Sequence, residues 1–517
     1  MKRILVIILS FLIMCGVVFA SGSETQAMEI GKKTGGTLRV AIEGEPEGLD
    51  TMAQTGTEMM RGVWSSQEYL FDYDDNYKIV PQLAEKWEWD SSRKVITFYL
   101  RENVLFHNGK EMTSEDVLAS WERGSKMGIS STKFTEVDKM EAPDKYIFKV
   151  YLKEPCPTFL EVIAGRVGAV PIFPKEIAES TPAGKMTTDK VIGTGPYKLA
   201  EWKKGFYVRL VKFDQYRGNK EQNFDEILLI PVTEMSARLY GVLSGNYDIA
   251  LTISTENYSE VSKNPNVEAL NDSLGLSNGM FLNHAKYPLN NQKIRQALMA
   301  ALNMEEILLA VGGEKDFFTL NSSWVTKGSV YQTDIGERMG SYNQKNPEKA
   351  KQLLKEAGYN NEPLVILTNT MKIYMDAAII VSEQLKAGGF NVIITPYDNA
   401  VIREVRANPE KWDIYMSSIR NVTDPYPLSM FFNPDGYMHY KNEKIGELWN
   451  KMLEDPNIQG RVAIWEEIEK EIYTDIPFIK YGDSFTMHIV SKKIGGWRRG
   501  EGQAADDLYF YNAWFKE

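Results

Sequence analysis

The most informative stretch of the sequence reads VPQLAEKWE at 80–88, FYLRENV at 98–104, FHNGK at 106–110 and TSEDV at 113–117. From 95 to 100, large apolar side chains alternate with Val, Thr and Tyr, which is the period of a half-buried strand. The stretch therefore predicts antiparallel strands that lead into a helix.

The turn and the helix of this stretch have signals of their own. Asn108-Gly109 is typical of a tight turn. The segment from Thr113 to Asp116 is a capping-box variant, with Asp in place of the more usual Glu, and it predicts that a helix begins here. We expect four aromatic side chains of this region in the core and not at a ligand: Trp87, Phe98, Phe106 and Trp121.

Strands and helices alternate along the rest of the chain, which predicts α/β lobes. The clearest segments are strands at 37–42 and 392–396, helices at 293–311 and 461–473, and a helix that begins at Asn346-Pro347 and ends at Gly358.

The length, composition and net charge of the chain exclude several classes of protein. The chain has 517 residues, so two or three lobes are expected. Its hydrophobic fraction of 43% and charged fraction of 25% are those of a globular protein, and its two cysteines exclude a disulfide scaffold. A net charge of −11 argues against a nucleic-acid-binding protein, whose surface would normally be basic.

The N-terminus predicts export. Met1 to Ala20 has a basic start, a short apolar run and small residues before Ser21, which is the pattern of a secretory signal peptide. A membrane anchor is one alternative, but the apolar run is at the short limit for a span. Another is a lipid-anchored form cleaved before Cys15, although Met14 is not the small residue that such a site prefers. Residues 21–34 are polar and small and predict a flexible tether.

A search for catalytic motifs finds none with complete spacing. The four histidines form no HExxH pattern, and no Cys and His spacing suits a zinc site. The segment from Gly193 to Pro196 starts like a phosphate-binding loop but does not complete one, so a tight turn is the better interpretation. We therefore expect no enzyme, no metal and no cofactor, although an acid–base pair assembled only in space would escape this search.

The ordered motifs resemble those of the extracellular solute-binding proteins of ABC importers, of the oligopeptide-, dipeptide- and nickel-binding type (family 5). Besides the stretch at 80–117, the sequence has further matches in the expected order: GGTL at 35–38, GTGPY at 193–197, LSGNYD at 243–248, IRQAL at 294–298 and DP at 424–425.

This resemblance implies an α/β fold with two lobes that close on a ligand like a clamp, similar to type II periplasmic binding proteins, with an extra subdomain on the first lobe. The implied boundaries are 35–62, 190–272 and 482–517 for the first lobe, 63–189 for the subdomain and 273–481 for the second lobe. It also implies a monomer in the periplasm or cell envelope that delivers its ligand to the permease subunits of an importer.

The resemblance also indicates where a ligand would bind. In peptide-binding members, a carboxylate four residues before the proline of the Asp-Pro motif holds the peptide amino group, and this position is Asn421 here. An Asn accepts a hydrogen bond from an ammonium group but supplies no compensating charge. The Arg that holds a ligand carboxylate in dipeptide-binding members has its nearest counterparts in Thr368 and Asn369. Both charged anchors of a free dipeptide are therefore expected to be altered.

Five further residues are candidates for the ligand site. Arg420 either makes a bidentate hydrogen bond to a ligand carboxylate or phosphate, or is an exposed or lobe-bridging residue. Asp424 either contacts the ligand or organises its own turn. Trp324 and Trp497 either stack on the ligand or belong to the core, and Met59 is a candidate wall residue.

The leading hypothesis is the substrate-binding subunit of an ABC importer, with a peptide as ligand. A short oligosaccharide or an opine-like conjugate is the alternative ligand, since neutral amides and aromatic rings suit such molecules. A nickel chelate is disfavoured because no His cluster accompanies the loop at Asp424. The alternative from another class is an exported hydrolase or chaperone-like protein.

Overall fold

The computed structural model describes residues 31–53, 61–74, 78–128, 130–156, 158–164, 170–218, 221–271, 275–497, 510 and 513–517, and for 399, 400 and 420 the backbone only. The predicted signal peptide with Cys15, and Met59, lie outside the described residues. No helix in the described ranges is long and apolar enough to cross a membrane.

The strands are numbered in chain order: β1 Lys32–Lys33, β2 Thr37–Ile42, β3 Phe71–Tyr73, β4 Ile79–Pro81, β5 Ala84–Trp89, β6 Val95–Leu100, β7 Val137–Asp144, β8 Ile147–Leu152, β9 Tyr197–Lys203, β10 Tyr207–Lys212, β11 Glu226–Pro231, β12 Ile249–Ile253, β13 Val267–Asn271, β14 Leu276–Leu282, β15 Phe318–Thr319, β16 Pro363–Asn369, β17 Asn391–Tyr397, β18 Ile414–Arg420, β19 Phe478–Ser484, β20 Met487–Ser491, β21 Ile494–Gly495 and β22 Trp514–Lys516.

The α-helices of the described residues are α1 Ser114–Ser125, α2 Phe159–Ala164, α3 Lys175–Ser180, α4 Met235–Leu243, α5 Tyr258–Val261, α6 Gln292–Ala301, α7 Met304–Gly312, α8 Ile335–Arg338, α9 Pro347–Ala357, α10 Lys372–Ala387, α11 Asn399–Arg406, α12 Glu443–Glu454 and α13 Ile458–Asp475.

The first lobe contains a seven-stranded sheet in the order β13-β20-β12-β2-β11-β10-β9. β2 is central and runs parallel to β11 on one side and β12 on the other. Leu38, Val40 and Ile42 of β2 are fully buried, which confirms the strand predicted at 37–42. Because the strands come from the beginning, the middle and the end of the chain, this lobe is discontinuous in sequence.

The subdomain contains the four-stranded antiparallel sheet β5-β6-β8-β7 and the hairpin β3-β4. Residues of β6 alternate between half-buried and buried, as predicted. Phe98 packs edge-on against Trp121 of α1, with 5.9 Å between ring centroids. The predicted capping box is present, since the Thr113 N–H donates to Asp116 Oδ2 at 2.8 Å. Phe98, Phe106 and Trp121 are buried in the core, and Trp87 is half-buried against it.

The second lobe is built on a six-stranded sheet in the order β15-β19-β14-β18-β16-β17. All of its strands lie within the continuous segment 276–484. Helix α9 has the predicted ends, because Asn346 Oδ1 accepts the Lys349 N–H at 2.9 Å and Gly358 has a φ of 72°. This lobe therefore has a sheet and helices that all come from one stretch of chain.

Two parts of the chain differ from the expectations. The helix predicted at 293–311 is two helices, α6 and α7, because Leu302 and Asn303 have extended backbone. The Asn303 N–H donates to Gln384 Oε1 at 2.9 Å, so the helical hydrogen-bond pattern is interrupted while the apolar period continues. Lys32–Lys33, within the tether predicted at 21–34, instead forms β1, which pairs with β22.

Two crossings connect the lobes. The first leads from Asn271 at the end of β13 to Leu276 at the start of β14. The second leads from Ser484 at the end of β19 to Met487 at the start of β20. The result is a two-lobe clamp of the periplasmic-binding-protein type. The implied domain boundaries stay predictions.

Candidate functional site

The crossings determine which edges of the two sheets face each other. Leu276 at the start of β14 pairs with Arg420, the last residue of β18. In the first lobe, β20 begins at Met487 opposite Ile253, the end of β12. The carboxyl ends of β2, β11 and β12, and those of β16 and β18, therefore lie at the edges that the crossings join. Ligands of open α/β sheets bind at such strand ends, so the candidate site lies between these edges.

Glu43 provides a carboxylate at the first-lobe edge, directly after β2. Its oxygens accept hydrogen bonds from Arg61 Nη1 and from the Thr252 hydroxyl. The Arg61 side chain is 3% exposed and that of Glu43 is 23% exposed. The ion pair thus places a partly exposed carboxylate at the edge, with a buried guanidinium behind it.

Thr252 orients this carboxylate from a strained backbone conformation. Its φ is 53°, which is rare for a β-branched residue. The Thr252 N–H donates to His488 Nδ1 at 3.0 Å, and its carbonyl accepts from Arg238 Nη2 at 2.8 Å. Backbone strain that surrounding contacts maintain is common at ligand-binding sites, and here it accompanies the candidate carboxylate.

Asn421 lies at the second-lobe edge, but its carboxamide already has a partner. The side chain is 6% exposed, and Oδ1 faces the Ser277 hydroxyl at hydrogen-bond distance. Ser277 Oγ also lies 3.1 Å from Asp483 Oδ1, so its proton is shared between two acceptors. The Asn421 carboxamide is therefore tied to β14 and β19, next to both crossings.

The charged groups beneath this edge neutralise one another. Lys480 Nζ lies 2.7 Å from Asp483 Oδ1 and donates to the Ser323 carbonyl at 2.5 Å. Asp483 Oδ2 accepts from Asn321 Nδ2 at 2.7 Å. Lys480 and Asp483 are 1% and 2% exposed, and a buried pair of this kind is stable only with such additional hydrogen bonds.

Two other positions of the described second-lobe edge carry neutral polar groups. Asn369 ends β16, and its Oδ1 accepts the Met371 N–H at 2.7 Å just before α10 begins. The Tyr374 and Ser418 hydroxyls lie 2.7 Å apart. At these positions the second lobe presents amides and hydroxyls, next to Lys372 at the start of α10, whereas the first lobe presents the carboxylate of Glu43.

Asp424 organises the turn that follows it. The Tyr426 N–H donates to Asp424 Oδ1 at 2.8 Å, which supports the turn interpretation of this residue. Burial raises the pKa of Asp424, and the nearby Arg461 and Tyr331 only partly offset that effect.

The two candidate tryptophans lie in core clusters. Trp324 is 1% exposed and packs edge-on against Phe478, with 4.4 Å between ring centroids. Trp497 is 8% exposed and stacks on Phe510 at 6.1 Å. These placements support the core alternative for both. Arg420 ends β18 at the candidate edge, and its side chain is outside the description.

Two ion pairs connect opposite sides of the clamp. Glu256 and Lys372 lie 3.4 Å apart at the surface, with side chains 68% and 72% exposed. Glu161 of the subdomain and Arg461 of the second lobe lie 3.0 Å apart, with side chains 21% and 5% exposed. The structure therefore has the lobes in contact. Within the described ranges, no group of three or more His, Cys, Asp or Glu could hold a metal ion.

Two α/β lobes joined by two crossings, with polar strand ends facing each other between them, define a solute-binding clamp. Residues 78–439 match the family described as bacterial extracellular solute-binding proteins, family 5. The chain belongs to this family.

Individual relatives are similar along nearly the whole chain. A probable peptide ABC transporter periplasmic-binding protein, y4tO of Sinorhizobium fredii, is 26% identical, and the match covers 89% of this chain and 91% of that protein. The solved structure of AgaA from A. tumefaciens R10, in complex with agropinic acid, has a TM-score of 0.74 at 24% identity, covering 93% and 99% of the two chains. AppA from Bacillus subtilis, in complex with a nonapeptide, has a TM-score of 0.73 at 22% identity, covering 94% and 100%.

Glu43, Thr252 and the pair of Glu161 with Arg461 were not among the residues predicted from the sequence. Glu43 had a usable signal, because it directly follows the predicted strand 37–42. Glu161 and Arg461 are 300 residues apart and had no signal in the sequence.

Proposed function

We propose that this protein is the exported substrate-binding subunit of an ABC importer and that its ligand is a peptide. The main support is the difference in side-chain chemistry between the two edges of the site. A peptide has backbone amides, which the amide of Asn369 and the hydroxyls of Tyr374 and Ser418 at the second-lobe edge suit. Its amino group requires an anion, and Glu43 supplies a partly exposed carboxylate at the first-lobe edge.

Several features support this role. The relative from Sinorhizobium fredii is named as a peptide transporter component, and AppA was solved with a nonapeptide. The pattern at Met1 to Ala20 supports export through a signal peptide, and the mature protein would deliver its ligand to permease subunits in the membrane as a monomer. We propose no catalytic activity of its own and no cofactor.

Native purification tests the ligand class. The mature protein is purified without unfolding, and bound molecules are identified by mass spectrometry, which also reads whether the chain begins at Ser21 or at a lipidated Cys15. A co-purified peptide is the expected result. A bound oligosaccharide or opine would instead establish the second candidate, which the amides and hydroxyls of the second-lobe edge and the agropinic acid bound to AgaA favour. Turnover of peptide or glycoside substrates would overturn the non-enzymatic role.

Glu43→Gln tests the amino-group contact. The substitution keeps the shape of the side chain but removes its charge, so a free peptide should bind about ten- to a hundred-fold more weakly in calorimetry, the scale of a hydrogen bond to a charged group. The N-acetylated form of the same peptide should bind both proteins equally. Glu47→Gln, at an exposed position in the same segment, is the matched control. Equal affinity of the Glu43→Gln and unsubstituted proteins for the free peptide would remove Glu43 from the site.

A further inference from the structure

We propose that closure of the clamp takes up a proton at a site that Glu161, Asp424 and Arg461 form between the subdomain and the second lobe, so that ligand affinity rises with acidity. This inference rests on the proposed binding of a solute by closure. It does not depend on which solute is bound.

The site is assembled from opposite sides of the clamp. Glu161 lies on α2 of the subdomain, and Arg461 lies on α13 of the second lobe. Arg461 Nη2 donates to Glu161 Oε1 at 3.0 Å, while its Nε donates to the Tyr331 hydroxyl at 3.0 Å and its Nη1 to the Asp455 carbonyl at 3.1 Å. Arg461 is therefore held by its own lobe, and Glu161 joins it only when the lobes are in contact.

A second carboxylate, that of Asp424, lies within electrostatic range of the same guanidinium. It lies on the second-lobe side and faces Arg461 and Tyr331. The Tyr73 hydroxyl of β3 donates to the Glu161 carbonyl at 3.3 Å and faces both carboxylates. Contact between the lobes thus adds the Glu161 carboxylate to a mostly buried guanidinium that already has the Asp424 carboxylate nearby on its own side, which leaves one negative charge in excess among the described groups.

Among the residues that the structure describes, the other titratable groups around the site do not supply the missing positive charge. The groups that face Glu161, Asp424 or their aromatic neighbours are Asp72, Glu136, Cys156, Tyr73, Tyr331 and Tyr426. Lys133 packs on the end of α2, where its Nζ donates to the Ile163 carbonyl at 3.3 Å. Burial lowers the pKa of Lys133 to about 7, but both of these residues belong to the subdomain, so their contact is independent of closure.

The excess charge determines the direction of the proton linkage. Burial, with a further contribution from Asp424, raises the pKa of Glu161 to about 7, and Arg461 only partly offsets this. In separated lobes the Glu161 carboxyl meets water, where a Glu has a pKa of about 4.3. The contact state therefore binds the proton more tightly, and lowering the pH from 8 to 6 should favour contact by about ten-fold.

Distance measurements between spin labels test the proposal without any ligand. Labels are attached at Lys126→Cys of the subdomain and Glu348→Cys of the second lobe, both at exposed side chains, in a chain that begins at Ser21 and carries Cys156→Ser. The ratio of contact to separated populations should rise about ten-fold from pH 8 to pH 6. In Glu161→Gln the ratio of contact to separated populations should be the same at pH 8 and pH 6. At pH 8 this ratio should be at least as high as in the unsubstituted chain.

Two further variants make the result specific. Glu256→Gln removes the carboxylate of the exposed ion pair across the lobes and should keep the full pH response. Asp424→Asn keeps a turn-forming oxygen for the Tyr426 N–H and should weaken the response. An unchanged pH response in Glu161→Gln would overturn the proposal.

The affinity for trialanine, measured by calorimetry at the same pH values, should follow the contact ratio. Absence of trialanine binding at every pH would count against the peptide function, while the spin-label distances would still decide the proton site.

Discussion

His107 joins two segments that lie 86 residues apart in the chain. The Gly193 N–H donates to Nδ1 at 3.3 Å, so the ring proton is on Nε2, which donates to the Gly195 carbonyl at 3.0 Å. A second proton on this ring would have no acceptor in that arrangement. Burial accordingly lowers the pKa of His107 to about 4, and that of His284 in the second lobe is lowered to about 4 for the same reason.

Because the pKa values of these two histidines are lowered, we expect the protein to lose stability in acid. The unfolded chain has histidine pKa values near 6.5, so their contribution is complete above about pH 6.5 and is lost as the pH falls toward 4. Each histidine should cost about 2–3 kcal/mol by pH 4.5. His107→Gln keeps a donor near the Gly195 carbonyl but does not titrate, so its thermal midpoint should fall less between pH 7.5 and pH 4.5.

His439→Asn is the control for this measurement. His439 is exposed and has a φ of 53°, which Asn tolerates. The control should retain the full acid dependence. An acid dependence of His107→Gln equal to that of the unsubstituted protein would contradict the assignment.

Single residues of the site could be predicted when a strand end preceded them. Asn421 and Asn369 lie at strand ends of the second lobe, near where the sequence placed a ligand, and Glu43 could have been found by the same rule. The hydrogen bond between Ser277 and Asn421 joins segments 144 residues apart, so the sequence could not show that the Asn421 carboxamide is already bound.

At the scale of elements, the loop from Gly193 to Gly195 is shaped by close approach to another segment. A Cβ on Gly195 would lie 2.5 Å from the Ser65 carbonyl oxygen, and one on Gly193 would lie 1.9 Å from that of Ser66. Gly195→Ala should therefore force the backbone apart and destabilise the protein by about 1–3 kcal/mol or more. The thermal midpoint at pH 7.5 measures this.

Gly446 is the control position, because an added Cβ should stabilise the protein there. It lies in α12, and a Cβ there would meet no atom within 4 Å. Gly446→Ala should stabilise the protein by about 0.5–1 kcal/mol because Ala has less conformational freedom to lose on folding. Equal effects of the two substitutions would show that the approach of the Ser65 backbone does not limit Gly195.

The ends of helices were predicted correctly where a single residue determines the local backbone geometry. The capping box at Thr113 and the ends of α9 at Asn346 and Gly358 are such cases. The break between α6 and α7 was missed because the apolar period continues across it. The Asn303 N–H donates to Gln384 of α10, which is 81 residues further along the chain, so no local pattern could show this bond.

At the scale of the whole molecule, the second lobe is an insertion into a hairpin of the first. β13 and β20 are antiparallel neighbours, and Asn271 pairs directly with Met487. The inserted segment closes on itself in the same way, since Leu276 pairs with Ser484. The inserted lobe also has its own buried ion pair, Lys480 with Asp483, and does not need the first lobe to neutralise it.

This topology predicts that each lobe folds without the other. The fragment 275–486 should be a folded monomer with a cooperative thermal transition, because its sheet and core clusters come from one continuous segment. Replacing 272–486 with an Asn-Gly turn should join β13 directly to β20 as a tight hairpin and leave the first lobe folded. The first lobe should lose some stability, since Phe317 of the inserted segment packs in its cluster with Ile253 and Met487. Circular dichroism and calorimetry of both chains measure this, and an unfolded 275–486 fragment would show that the second lobe depends on contacts across the clamp.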